Sequence, residues 1–221
     1  MRTGATVKKM SDAAQTKPAP VRRRKRLSRE ERADDARAEI FDAAAKVIDK
    51  HGYAGASISR ITEAAGIAQG TVYLYFQSRQ ELFDELLPYA GEKMLEFIRE
   101  HVRGSKDIYE MEERGFRAFF EYMNANRGFI RILNEAETNA PNAHRKHFKM
   151  LTQRYVRALE RWQGEGMLKN FDHEELVTIC YIMMSARIYL YMRYVNVDGK
   201  RKGALEKVIQ TYMRLVKTGL N

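Results

Sequence analysis

Along most of the chain after residue 27, hydrophobic residues recur every three or four positions, which is the spacing of one face of an α-helix. No stretch shows the strict alternation that is typical of a half-buried strand. The pattern predicts roughly nine helices. They cover residues 28–51, 57–65, 68–74, 78–101, 106–124, 127–138, 142–164, 173–195 and 203–218. The sequence therefore predicts an all-α protein.

Polar residues and glycines mark where the first of these helices begin and end. Ser28 and Ser78 are each followed three residues later by a glutamate, the capping-box pattern of a helix start. Ser57 is placed to cap the second helix, and Gly52 and Gly66 are placed to end the first two. These signals predict one long helix, two short ones and then a second long helix.

The two short helices, joined by a tight turn at Gly66, form a predicted helix-turn-helix. The second of them directs Gln69, Gly70, Thr71 and Tyr73 outward. Glutamine can pair with adenine through two hydrogen bonds, glycine permits close backbone approach, and hydroxyl groups can contact bases or phosphates. A packing hairpin inside a bundle is the alternative, but leucine, alanine, glutamate or lysine would be expected on that face. The pattern favours a helix that reads DNA.

Charge is distributed unevenly along the chain. Residues 1–26 hold nine cations and one anion, a net of +8, which leaves only +2 of the total +10 for the rest of the chain. Residues 1–27 also have few large apolar residues and are predicted to be a disordered basic tail. Such a tail either aids solubility or binds nucleic acid by releasing counterions. Arg22, Arg23 and Arg24 are its candidate DNA contacts.

The segments AAAKVIDKHGYAGASISRITEA and AGIAQGTVYLYFQSRQEL follow one another from residue 43. With the helix before them, they make residues 33–85 resemble the TetR family of one-component bacterial regulators. The motif G-Y-x-x-x-S before the second helix, the alanine–glycine turn and the motif G-T-x-Y-x-Y-F occur in the same order as in the family. Two positions depart from the family: Ala68 stands where a capping serine is frequent, and Leu74 where a polar residue is frequent.

The resemblance implies an N-terminal three-helix helix-turn-helix DNA-binding domain over residues 28–77. It also implies a larger C-terminal helical ligand-binding and dimerisation domain over 78–221, with a homodimer reading a palindromic double-stranded DNA operator. The implied base contacts come from Gln69, Gly70 and Tyr73. The implied phosphate contacts come from Ser57, Ser59, Thr71, Tyr75 and Arg79, while Phe76 would be a core residue.

The C-terminal two-thirds is dense in aromatic residues and methionines, which suits both core packing and an adaptable apolar pocket. The candidate ligand-binding residues are Phe120, Met123, Tyr155, Met183 and Arg187. Arg187 interrupts the apolar stripe of helix 173–195, and a buried guanidinium needs an anion. That anion is either a carboxylate from a neighbouring helix or partner subunit, which we favour, or an acid or phosphate group of a ligand.

The last two helices carry apolar stripes that suit a four-helix dimer interface, although burial within one subunit would also account for them. The stripe residues are Leu176, Ile179, Met183, Leu205, Val208, Ile209, Tyr212, Leu215 and Val216. We expect no metal site: His144 and His147 are three residues apart, but no further ligand follows at a suitable spacing.

The expected function is that of a ligand-responsive transcriptional repressor, released from its operator by a small hydrophobic effector such as a carboxylic acid or an acyl thioester. The alternative is a small-molecule-binding or enzymatic helical domain with an incidental helix-turn-helix. No catalytic set or cofactor motif is recognisable. A single cysteine, Cys180, and the absence of an uninterrupted run of about 18 apolar residues predict a cytoplasmic protein that does not span a membrane.

Overall fold

The computed structural model describes residues 28–195 and 202–219, and this part of the chain forms nine α-helices and no strand. The predicted tail, with Arg22, Arg23 and Arg24, lies outside the described residues. The helices are α1 (Arg29–Gly55), α2 (Ile58–Ala65), α3 (Gln69–Tyr73), α4 (Arg79–Val102), α5 (Ile108–Ala125), α6 (Gly128–Asn139), α7 (Pro141–Gly164), α8 (His173–Val195) and α9 (Lys202–Gly219). The all-α prediction is confirmed, and the predicted bounds agree with these except at the end of α1.

Helices α1, α2 and α3 form a small head with its own buried side chains. The Ser28 Oγ accepts from the Glu31 N–H (3.0 Å), and the Glu31 carboxylate accepts from the Ser28 N–H (2.6 Å), so the predicted capping box is present. Phe76 is 1% exposed and packs edge-on against Phe41 at 5.2 Å between ring centroids, as expected of a core residue. The first helices therefore fold as their local signals predict.

Gly52 bends α1 rather than ending it, because the helix resumes and continues to Gly55. Its φ of 71° is a left-handed conformation that favours glycine. A Cβ there would also lie 2.8 Å from the Arg131 Nη2 and 2.9 Å from the Glu135 Oε2. Both the backbone angle and the close approach of α6 therefore require glycine at this position.

Helix α6 forms hydrogen bonds with the bent end of α1. The Tyr53 N–H donates to the Glu135 Oε2 (2.7 Å), and the Arg131 Nη1 donates to the Asp49 carbonyl (2.7 Å). Arg131 and Glu135 also pair with each other at 2.7 Å. The head is thus joined to the rest of the protein by these contacts as well as by α4, which stays helical through Pro88.

The remaining helices form a larger body. In it α4 packs against α5 and α7, α7 packs against α8, and α5 packs against α9. Gly91 lets α4 and α7 cross closely, since a Cβ there would lie 2.3 Å from the Nδ1 of His147. This crossing places the first half of α7 beside the second half of α4, where the internal cavities lie.

Helix α8 is long and apolar enough, by length and composition alone, to span a membrane, with a mean hydropathy of 1.2 over its best window. The sequence analysis did not anticipate this. However, one face of α8 is buried against the body and carries Arg187, whose guanidinium pairs with Glu112 of α5. We therefore interpret α8 as a helix of the bundle that has a second apolar face.

The stripes named above for a dimer interface are mostly buried within one subunit. Leu176 and Met183 of α8, and Val208, Ile209 and Tyr212 of α9, are all less than 10% exposed. Of the predicted stripe residues, Leu215 of α9 remains exposed. The other exposed large apolar residues on these two helices are Tyr181, Ile182 and Tyr189 of α8, which lie outside the predicted stripe.

Candidate DNA-binding face and ligand cavities

Helix α3 presents an exposed surface that contributes little to the packing of the head. Gln69 and Gly70 are exposed, Tyr73 is 54% exposed and Leu74 is 78% exposed. A Cβ on Gly70 would meet no atom within 4 Å, so the fold itself does not require glycine there. We call Gln69, Gly70, Tyr73 and Leu74 the recognition face.

The predicted phosphate-contacting residues surround this face. Thr71 and Tyr75 are half-buried, and Ser57 and Ser59 are exposed. The Ser57 Oγ accepts from the Arg60 N–H at 3.3 Å and so caps α2, as predicted. Phosphate contacts from these four residues remain predictions.

Arg79 has partners inside the protein. Its Nε donates to the Ala56 carbonyl (2.8 Å), a terminal nitrogen donates to the Tyr53 carbonyl, and the guanidinium lies 4.5 Å from the Phe83 ring centroid. These contacts tie the start of α4 to the turn before α2. Arg79 thus positions the helix-turn-helix, and its predicted phosphate contact would be an additional role.

The body contains an apolar inner cavity of about 50 Å³ between α4, α5, α6, α7 and α8. Met94, Met123 and Met184 are among its lining residues, and methionine side chains adapt easily to the shape of a ligand. The polar side chains that reach it are His147, Tyr155 and Arg187. Burial lowers the pKa of His147 to about 4, with a smaller contribution from His144, so the ring is neutral at pH 7.

Arg187 belongs to a buried polar cluster at the end of this cavity. Its Nη2 donates to the Glu112 Oε2 (2.6 Å) and lies 3.1 Å from the Tyr155 hydroxyl. Tyr155 also donates to Glu112, and Tyr212 donates to the other carboxylate oxygen at 2.5 Å. The cluster therefore joins α5, α7, α8 and α9 through one carboxylate, and the anion predicted for Arg187 is a carboxylate of a neighbouring helix.

The charges in this cluster are fixed. Burial alone would lower the pKa of Arg187, but the Glu112 carboxylate, with Tyr155 and Tyr212, raises it above its usual value. Burial raises the pKa of Tyr155 and of Tyr212. The guanidinium consequently stays protonated and both phenols remain hydrogen-bond donors at neutral pH.

The five predicted ligand-binding residues lie in different places. Tyr155, Arg187 and Met123 line the inner cavity. Met183 is buried beside it, with its sulfur 3.0 Å from the Tyr155 hydroxyl. Phe120 does not line it and instead stacks on Phe116 at 4.9 Å between ring centroids. Ligand contact stays a prediction for the first four and is not supported for Phe120.

An outer cavity of about 310 Å³ adjoins the inner one and is lined by α4, α5, α7 and α8. It shares Leu95, Ile98, Tyr155 and Arg187 with the inner cavity. The two cavities therefore meet at the buried cluster. Arginines of α4 and α7 lie around the outer cavity.

A third cavity, of about 390 Å³, lies between α1 of the head and α4, α5 and α6 of the body. An ion pair between the Lys93 Nζ and the Asp42 Oδ1 (2.9 Å) crosses it. The cavity therefore lies at the junction of head and body, beside a buried core that is continuous between the two.

Glu112 and Tyr212 are the residues that the sequence analysis overlooked in this region. Glu112 lies four residues after Ile108 and four before Phe116, both of which are fully buried. That spacing places it on the buried face of α5. The position of Glu112 was therefore predictable, whereas its pairing with Tyr212 of α9 depends on how distant helices pack.

Comparison with known proteins agrees with the head described above. Residues 40–86 match the family of bacterial regulatory proteins, tetR family. The "Fatty acid metabolism regulator protein" of Bacillus subtilis (strain 168) is 40% identical over 72 residues, 33% of this chain and 34% of that protein. The "HTH-type transcriptional repressor KstR2" of Rhodococcus jostii (strain RHA1) is 23% identical over 188 residues, 83% of this chain and 90% of that protein. For three of the curated relatives, the matched region spans only 34%, 50% and 59% of the relative's length.

Solved structures share the fold over most of the chain, beyond the residues that the family model matches. A transcriptional regulator FadR from Bacillus subtilis, solved in complex with stearoyl-CoA, superposes with a TM-score of 0.68. It is 20% identical and covers 83% of this chain and 99% of that one. Residues 40–86, which contain both helices of the helix-turn-helix and the recognition face, therefore form a helix-turn-helix domain of the tetR family of bacterial regulatory proteins.

Proposed function

We propose that this protein is a cytoplasmic, homodimeric transcriptional repressor that leaves its DNA operator when a small hydrophobic effector binds in the body. The observation that carries the proposal is the recognition face. It combines an exposed glutamine, an exposed tyrosine and a glycine that the fold does not require, which supply hydrogen-bonding groups and close backbone access rather than packing contacts. They suit a helix that enters the major groove of DNA.

Dimerisation is supported by the second apolar face of α8. Tyr181, Ile182 and Tyr189 are exposed there, and Leu215 of α9 is 70% exposed. Clustered exposed hydrophobic residues of this kind mark interaction surfaces. Two subunits joined through α8 and α9 would present two recognition faces, as a palindromic operator requires.

Effector binding is supported by the inner cavity, which is apolar, enclosed by five helices and lined by adaptable methionines. The regulator FadR of Bacillus subtilis, which shares the fold, was solved with stearoyl-CoA. An acyl compound is therefore a candidate effector for this protein too. Its apolar chain would occupy the inner cavity after the walls have moved apart.

The test is a gel-shift assay with DNA from upstream of the protein's own gene, repeated with Gln69→Ala and with Tyr73→Ala. Each substitution should weaken specific binding by about 1–3 kcal/mol, because a base contact is lost, and should leave affinity for random DNA unchanged. Gln153→Ala, which alters an exposed glutamine of α7, is the matched control and should bind like the parent. An equal loss on upstream and random DNA would contradict base reading by α3.

A further inference from the structure

The outer cavity is strongly basic for a cavity that adjoins an apolar one. Five guanidinium groups line it, those of Arg99, Arg154, Arg157, Arg161 and Arg187, against a single carboxylate, that of Glu112. Four of the five belong to arginines at its edge, and only Arg187 is buried. Several arginines around one concave opening produce a positive potential that attracts anions, above all phosphates.

The four arginines at the edge differ in their partners. Arg154 pairs with Glu92 at 2.5 Å, and Arg99 pairs with Glu96 at 2.9 Å. Arg157 and Arg161 have no ion pair with any described residue. They lie four residues apart on α7 and line the same cavity, so they can act on one ligand together.

Arg187 connects this edge to the apolar inner cavity. Its side chain is 8% exposed and lines both cavities, and its Nε has no acceptor among the described residues. A buried N–H donor without an acceptor is costly, typically about 1–3 kcal/mol. The arrangement therefore provides a hydrogen-bond donor for a ligand at the point where the two cavities meet.

We propose that the effector is an amphiphile that spans both cavities and carries a phosphate head group bound by Arg157 and Arg161. Its apolar chain lies in the inner cavity, and a carbonyl oxygen at the junction accepts from the Arg187 Nε. This inference rests on the proposed effector site and adds to it the chemical class of the ligand. The shared chemistry is chain, carbonyl and phosphate, whether the phosphate belongs to a nucleotide thioester or to a lipid.

Binding must widen the inner cavity, whose present volume of about 50 Å³ is far too small for a long chain. Met94, Met123 and Met184 line it, and their unbranched side chains can change rotamer at little cost. Because Arg187 is held by Glu112, and Glu112 by Tyr212 of α9, a ligand that moves Arg187 also acts on α9. The bond between the ligand's apolar chain and its head group would thus lie beside the buried polar cluster of Glu112, Tyr155, Arg187 and Tyr212, which links the helices of the body.

Isothermal titration calorimetry on the full chain, without DNA, tests the head-group assignment. The probes are dodecanoyl-coenzyme A, 1-dodecanoyl-glycerol 3-phosphate, dodecanoate and coenzyme A alone. Both phosphate-bearing amphiphiles carry the chain and the carbonyl and should bind about tenfold or more tightly than dodecanoate, whereas coenzyme A alone should bind weakly, because it lacks the chain. If dodecanoate binds as tightly as both phosphate-bearing amphiphiles, the phosphate assignment is wrong.

The double variant Arg157→Gln/Arg161→Gln should abolish the preference for phosphate while keeping the affinity for dodecanoate. Arg145→Gln, an exposed arginine of α7 that does not line either cavity, is the matched control and should keep the preference. A double variant that still prefers phosphate would overturn the role of these two arginines. Comparable tight binding of both phosphates would indicate recognition of phosphate itself, and tighter binding of the thioester would indicate a nucleotide head.

The proposed hydrogen bond between the Arg187 Nε and the ligand carbonyl is tested by changing the ligand, because a substitution of the buried Arg187 could prevent folding. Dodecyl-coenzyme A, a thioether without the carbonyl oxygen, should bind about five- to tenfold more weakly than dodecanoyl-coenzyme A. Equal affinities would show that the Arg187 Nε does not receive the carbonyl. If none of the probes binds, this inference fails, whereas the DNA-binding proposal is tested by the gel-shift assay, which uses no ligand.

Discussion

Glu112 is a negative charge buried in the apolar stripe of α5, with 1% of its side chain exposed. Glu112→Gln would leave the Arg187 guanidinium buried without an anion, so we expect a loss of about 3–5 kcal/mol in the free energy of unfolding. Urea denaturation at pH 7 measures it. Glu113→Gln is the matched control: Glu113 is the next residue, pairs with Arg117 at the surface at 2.8 Å, and should change stability by less than about 1 kcal/mol. Similar losses in both variants would contradict the importance of the buried pair.

His147 makes the stability of the protein depend on pH. Burial depresses its pKa from 6.5 to about 4, so below pH 6.5 the unfolded chain takes up a proton that the folded protein does not. The free energy of unfolding therefore has its full value, as far as His147 is concerned, above about pH 6.5, and it decreases as the pH falls towards 4. We expect a decrease of about 2 kcal/mol between pH 7 and pH 5. His147→Gln should remove this part of the slope, as measured by urea denaturation at both pH values.

His144→Gln is the control for that measurement, because His144 lies on the same helix and is only half-buried. It should retain most of the slope of the parent, because burial is the main cause of the lowered pKa of His147 and His144 makes only the smaller contribution. If His147→Gln and the parent lose the same stability between pH 7 and pH 5, then another group causes the pH dependence.

At the scale of one residue, the sequence predicted that a side chain requires a charged partner, but it did not predict which residue supplies that partner. An arginine in an apolar stripe needs an anion, and the structure supplies Glu112. By contrast, Phe120 was assigned to the pocket because aromatic residues line pockets and cores alike. Which role it takes depends on the rotation of α5 against α8, and one helix's periodicity does not fix that angle.

At the scale of elements, α3 lacks a side-chain cap at its start, because Ala68 occupies the N-cap position. Its φ of −73° and ψ of 148° are already those of an N-cap residue. Ala68→Ser should therefore stabilise the protein by about 0.5–1 kcal/mol, since the hydroxyl can accept from a free N–H of the first turn. Thermal unfolding measures the gain as a higher midpoint.

Ala64→Ser makes the same chemical change inside α2, at an exposed position, and should lower stability by a few tenths of a kcal/mol. A gain from Ala64→Ser equal to that from Ala68→Ser would argue against capping. Loss of specific DNA binding in Ala68→Ser, without loss of stability, would instead indicate that the start of α3 approaches DNA too closely for a hydroxyl.

Helix limits were predictable because local chemistry sets them: Ser28, Ser57 and Ser78 cap the helices that follow them. The end of α1 was predicted wrongly for a non-local reason. Gly52 has a positive φ but a ψ of 172°, which is not the αL conformation of a helix C-cap, and α6 holds the next residues through the Tyr53 N–H. Contacts with a segment 82 residues away in sequence are not visible in a local pattern.

At the scale of the molecule, the clamp of Arg131 and Glu135 on α1 is a route between body and head that the sequence did not reveal. The head also borders the cavity of about 390 Å³ at its junction with the body, but beside that cavity the buried side chains of head and body form one continuous core, in which Phe41 stacks on Tyr89 at 4.5 Å between ring centroids. Hydrogen bonds to charged groups contribute about 1.5–3 kcal/mol each. The clamp therefore adds a directional contribution to the apolar packing that fixes the orientation of the head.

Glu135→Ala removes the acceptor of the Tyr53 N–H and the partner of Arg131. We expect faster amide hydrogen exchange at residues 50–56, because the last turn of α1 then opens locally, while exchange in α5 stays unchanged. Affinity for the operator should also fall, since freely moving heads bind as a pair only after they are oriented. Glu137→Ala, an exposed glutamate on the same helix, is the matched control and should leave both measurements unchanged. Unchanged exchange at residues 50–56 in Glu135→Ala would show that this clamp does not hold the end of α1. In that case a signal from the ligand cavities would have to reach DNA along α4, past Pro88, or through the apolar packing of α1 on α6, rather than through the clamp.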